Sequence, residues 1–159
     1  MFKLAASLLL TLPLLAQAAD ARTFIKVQEK DPEMVAAIER ARASLDEFLA
    51  INAKPPKEAS DFRLKVMVQD ENGTEHLWVT PFKSLGQDRF KGIISNQPRI
   101  VDSVEGGQEY EFSRAQISDW GYVKDGRQIG SYTVCALFKQ MSKAEVKFYR
   151  EKHGFECKD

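Results

Sequence analysis

The chain has 159 residues, with 23 basic and 23 acidic side chains and a net charge of zero. Such a balance exerts no general pull on phosphate backbones or anionic lipid, so nucleic acid is not an expected partner. The length suits a single domain with its own hydrophobic core.

The N-terminus reads Met-Phe-Lys, then an apolar run from Leu4 to Leu15, then Ala16-Gln17-Ala18-Ala19. A positive start, an apolar stretch and a small-x-small site are the three parts of a secretion signal, so residues 1–18 are expected to be cleaved after Ala18. A spanning helix would need about 20 apolar residues; this run is shorter and contains Pro13. Removal takes away Lys3 and no acid, leaving residues 19–159 as one domain of net charge −1. No later apolar stretch is long enough to span a bilayer. The expected address is the periplasm, or the medium if the protein is secreted.

Asp31-Pro32-Glu33 opens a helix, since Asp can cap the free N–H groups, Pro is tolerated at the first helical position and Glu suits the positive end of the dipole. Met34, Val35, Ile38, Ala41, Leu45, Phe48 and Leu49 then form one apolar stripe, and Pro55-Pro56 ends the helix. Phe62, Leu64, Val66 and Val68 alternate with polar or flexible residues as a strand does. Asn72-Gly73 is a strong hairpin signal. Centring a two-residue turn on it pairs Val68 with Leu77, Val66 with Val79, Met67 with Trp78 and Gln69 with His76. The aliphatic pairs then face the core, while His76 and Trp78 point the other way.

A third strand is expected over residues 90–96, stopped by Pro98. Gly106-Gly107 forms a turn before a short strand at Tyr110 and Phe112. A second hairpin runs from Ile117 to Val123, turns at Asp125-Gly126 and returns from Ile129 to Phe138. Ser142-Lys143-Ala144-Glu145 is a capping box for a last helix, which Gly154 ends. Helices flanking hairpin-connected strands imply an α+β domain with an antiparallel sheet of about five to six strands. Gly92, Gly121 and Gly130 would bend it toward a half-barrel, with the N-terminal and C-terminal helices packed on it.

The two cysteines, Cys135 and Cys157, suit an oxidising compartment, where a structural disulfide would contribute about 3 kcal/mol. Free thiols remain an alternative; redox chemistry lacks the C-x-x-C spacing that depresses a thiol pKa.

Four stretches carry a family resemblance: residues 75–79 (Glu-His-Leu-Trp-Val), 90–98 (Phe-Lys-Gly-Ile-Ile-Ser-Asn-Gln-Pro), 117–120 (Ile-Ser-Asp-Trp) and 130–133 (Gly-Ser-Tyr-Thr). In this order the chain resembles the YegJ-like proteins, which carry the domain of unknown function 2314, from the Asp31 helix to the C-terminal helix. The resemblance implies a small bacterial protein of a family with some exported members. It transfers no catalytic residue.

Chemistry has few carriers. A hydrolase would use His76 as base, Asp119 to orient it and Ser95 or Ser118 as nucleophile, but no nucleophile elbow or Gly-rich oxyanion loop surrounds either serine. A zinc site would need His76, His153, Cys135 and Cys157 to converge, with one of the usual close-spaced ligand pairs missing. Glu109 and Glu111 read as a solvated strand face, and residues 105–108 lack the Lys and helix of a phosphate loop. No metal or cofactor is therefore expected. What remains is a recognition surface of His76, Trp78, Asn96, Asp119 and Trp120, with Arg63, Lys65 and Met67 beside it. Trp and Arg are favoured interface anchors. The competing reading is that a helix covers this face and makes Trp78 an ordinary core residue. The leading expectation is a non-enzymatic module that binds or inhibits another envelope or secreted protein, an immunity-type protein being one version. The alternative is a small cell-envelope hydrolase built on His76 and Asp119.

Overall fold

The computed structural model describes residues 31–157; the expected signal peptide lies outside them. In chain order the elements are α1 (Pro32–Ala43), α2 (Leu45–Ala53), β1 (Ala59–Asp70), β2 (Gly73–Gly86), β3 (Arg89–Ile94), β4 (Glu109–Ser113), β5 (Ile117–Lys124), β6 (Arg127–Gly130), α3 (Tyr132–Phe138) and α4 (Lys143–His153). The strands form one open antiparallel sheet of six, in the order β4-β3-β2-β1-β5-β6. The domain is α+β, as its pattern of elements predicts.

Asp31 caps α1 through one carboxylate oxygen, which accepts from the Glu33 and Met34 amides. The single helix expected as far as Pro55 is two. The Ser44 hydroxyl donates to the Arg40 carbonyl at 2.8 Å, and back-bonding of this kind bends a helix. The apolar stripe survives the break at Ala41, Leu45 and Phe48, all buried, but Ala37 takes the buried place in the first turns while Val35 is exposed. Phe48, with no exposure, lies among the rings of Phe62, Phe82, Trp120 and Tyr122, the closest being Trp120 at 4.9 Å between centroids.

The β1–β2 hairpin keeps the predicted faces but not the predicted register. Val66 pairs with Leu77, Met67 with His76 and Lys65 with Trp78, a shift of two residues that preserves the alternation. The two residues between the strands are Glu71 and Asn72, and the positive φ of +141° falls on Gly73. One Asp70 oxygen accepts from the Asn72 amide and the other from the Asp102 and Ser103 amides. The turn is thus fixed by a loop thirty residues away in the chain. Buried Glu75 holds the same loop by accepting from the Arg99 and Ile100 amides at 2.9 and 2.8 Å.

Two irregularities in the β1–β5 pairing decide which side chains face which way. Asp61, at φ 54°, lies in one. In the other, Lys65 pairs with Asp119 and Val66 with Ile117, leaving Ser118 as an extra residue. In a regular strand Ile117 and Trp120 would face opposite sides; the bulge lets both enter the core. It also turns Ser118 and Asp119 together toward the other face.

The expected return strand from Ile129 to Phe138 ends at Gly130 and becomes α3. Gly130 has φ +76° and Ser131 φ 52°, so the chain turns sharply there, and the Ser131 amide donates to the Trp120 carbonyl at 2.7 Å. A Cβ at Gly130 would collide with the Trp120 ring. The predicted capping box of α4 is present, with Ser142 and Glu145 each accepting from the other's backbone amide. α4 buries none of its own residues. It is held by the Phe138, Tyr149 and Phe155 rings and by the Cys135–Cys157 disulfide, whose Cα atoms are 5.4 Å apart.

Replacing both cysteines by serine is expected to cost about 3 kcal/mol in urea unfolding, with the α4 amides losing exchange protection before the sheet does. Unchanged α4 protection would show that the ring contacts alone suffice.

Candidate functional site

The bulge at Ser118 and the pleat of β1 and β2 create the second face of the sheet. Arg63, Lys65 and Met67 from β1 stand there beside His76 and Trp78 from β2, all partly exposed. α1 and α2 pack on the opposite face, while α3 reaches this one at its β5 end, where Thr133 meets Lys65. Trp78 is flanked by the Arg63 guanidinium and the Lys65 ammonium, each 5.1 Å from its ring centre, within the range of cation–π attraction. Its backbone is fixed by Asn96, whose side-chain oxygen accepts from the Trp78 amide at 2.7 Å.

Asp119 is fully buried at one end of this group. One of its oxygens accepts from the Trp120 and Tyr132 amides; the other accepts from the Thr133 amide at 2.8 Å and the Thr133 hydroxyl at 2.6 Å. It therefore caps the first turn of α3 from a neighbouring strand. Lys65 donates to the Thr133 oxygen at 2.9 Å, completing a chain from Asp119 through Thr133 to Lys65 and on to Trp78. Burial pushes the Asp119 carboxyl up, opposed by Lys65 and by the Thr133 and Trp120 donors. Burial pushes the Lys65 ammonium down, opposed by Asp119 and reinforced by Arg63. Arg63 is lowered chiefly by burial as well, against Asp61 and Asp119.

The five expected surface residues thus separate. His76 and Trp78 lie together on the open face, and Asn96 holds the Trp78 backbone through its amide. Asp119 faces the same way but is sealed beneath α3. Trp120 is a core residue, 5 % exposed, with its indole N–H donating to the Ala41 carbonyl near the end of α1. Residue-by-residue alternation from Ile117 would not place it there; the bulge does.

The hydrolase arrangement is not assembled. His76 Nδ1 lies 2.7 Å from Ser118 Oγ, yet Ser118 has no exposure through which a substrate could reach it. Asp119 uses both oxygens on Trp120, Tyr132 and Thr133, not on His76. Ser95 donates to the Trp78 carbonyl instead of meeting His76. Both cysteines are held in the disulfide, and among the described residues no three potential metal ligands converge. Among them, too, no helix is long and apolar enough to cross a membrane. Thr133 was not singled out from the sequence; its one local signal is a hydroxyl in the first turn of a helix.

A bacterial family described as "Uncharacterized protein conserved in bacteria" (DUF2314) matches residues 31–157. The chain belongs to this family. It is 37 % identical over 116 residues to the uncharacterized protein YegJ of Escherichia coli (strain K12), covering 73 % of this chain and 74 % of that one. It is 32 % identical over 127 residues to a protein of Neisseria meningitidis serogroup B named for ankyrin repeats. That match covers 75 % of this chain and 50 % of the relative, so the likeness extends over about half of that protein. No solved structure matches the chain.

The two tryptophans should respond differently to truncation. Trp120→Ala is expected to cost about 3–5 kcal/mol in urea unfolding, and Trp78→Ala roughly 1 kcal/mol from lost cation–π contact and partial burial. Equal losses would contradict the assignment of the two rings to opposite faces.

Proposed function

We propose that the chain is an exported, non-enzymatic binding module of the bacterial envelope, and that it engages another exported protein through the open face of its sheet. The observation that carries this reading is the partly exposed Trp78 ring, with Arg63 and Lys65 beside it, on the face of the sheet opposite α1 and α2. A large ring held rigidly by its neighbours is what an interface anchor requires, because little side-chain entropy is lost when a partner covers it. Inhibition of the bound protein, as by an immunity-type protein, is the form of this function that needs no chemistry from the module itself.

Two further points support the reading. The leader pattern at residues 1–18 suits export, and a disulfide suits the oxidising compartment that follows. The Neisseria relative is named for ankyrin repeats, and such repeats stack into extended binding surfaces. A domain that recognises a protein partner fits that setting.

The test is affinity capture from periplasmic extract with the residue 19–159 protein as bait, followed by identification of what co-purifies. Trp78→Ala should lose a partner that the wild type and Phe148→Ala both retain, Phe148 being the exposed control at 52 %. Retention of every partner by a stably folded Trp78→Ala protein would remove the open face from the function.

A further inference from the structure

The open face is not electrically uniform. On its β3–β4 side, Lys91 and Arg89 are matched by Glu109 and Glu111, at 2.6 and 2.8 Å. On its β1 side, Arg63 and Lys65 make no direct ion pair among the described residues. Arg63 donates to the Gln128 amide oxygen and Lys65 to the Thr133 hydroxyl, and the nearest common carboxylate, Asp119, is sealed from solvent. Two partly desolvated cations beside a partly exposed ring raise the energy of the free protein, and an incoming anion would relieve that cost.

We propose that the partner seats a carboxylate-bearing, extended protein segment on this face, with an apolar side chain against Trp78 and a carboxylate on Arg63. The proposal rests on the reading of the open face as the binding surface and adds the partner's chemistry. A guanidinium with donors to spare matches a carboxylate in a two-point contact. A lipid surface fits less well. It is held by long, exposed cations acting over a distance, whereas these two lie folded beside the indole. The whole chain, moreover, carries no net positive charge.

The experiment uses three synthetic peptides of equal length in which Phe alternates with Glu, Gln or Lys, together with phosphatidylglycerol vesicles. Binding is followed by the indole N–H signals of Trp78 and Trp120 in two-dimensional NMR of the 19–159 protein. The Glu peptide should shift Trp78 and leave Trp120 in place, weaken as salt is raised, and bind about tenfold more weakly to both Arg63→Gln and Arg63→Glu. Equal binding of the Gln peptide, unaffected by Arg63→Gln, would overturn the acidic partner while leaving the open face as a binding surface. Vesicles shifting Trp78 where no peptide does would replace the protein segment by a membrane. Self-association that shifts Trp78 would replace it by a second copy of the chain. If none of these probes moves Trp78, the acidic-segment proposal fails, and the capture experiment alone then judges the face.

Discussion

The buried Asp119 carboxylate accepts four hydrogen bonds, two from its own strand and the turn after β6, two from Thr133, and the arrangement of the open face hangs from it. A carboxylate removed from water costs several kcal/mol unless its oxygens are satisfied, and here both are. Two of its donors, the Tyr132 and Thr133 amides, belong to the first turn of α3, groups a helix leaves unsatisfied at its start. The same contact stops β6, starts α3 and places the Thr133 oxygen where Lys65 reaches it. Lys65 in turn stands beside Trp78. A structural carboxylate thereby positions the side chains assigned to recognition without touching solvent itself.

That carboxylate is in place because of one extra residue. The Ser118 bulge sends Ile117 and Trp120 into the core and Ser118 and Asp119 to the other side. Trp120 stacks on Phe48 and bonds the Ala41 carbonyl, and so ties the sheet to the helices. The two tryptophans, on β2 and β5 with only β1 between them in the sheet, serve opposite ends of the same design: one seals the core, the other is left at the surface with cations beside it.

Much of this fold is legible in the sequence, and the gaps have definite physical causes. The faces of β1 and β2 follow from alternation alone, which a register shift of two leaves intact. The register does not, because Asp70 is tied to the Asp102 and Ser103 amides across a loop that local turn chemistry cannot reveal. The break at Ser44 carries a local signal, a hydroxyl able to bond back to Arg40, but the apolar stripe runs through it unbroken. The run from Val134 to Phe138 has the composition of a strand or a helix; the distant cap by Asp119 decides for a helix. Trp78 was assignable to the open face because β2 is regular there. Trp120 was not, since nothing in Ile117-Ser118-Asp119 announces a bulge.

The most direct measurement is Asp119→Asn, which keeps the shape of the side chain but turns one acceptor into a donor facing Thr133. Urea unfolding and indole N–H signals together give the readout. The account predicts a loss of about 3 kcal/mol or more, reduced exchange protection in α3, and a displaced Trp78 signal as Lys65 is released. A variant as stable as the wild type, with α3 protected and Trp78 unmoved, would contradict it.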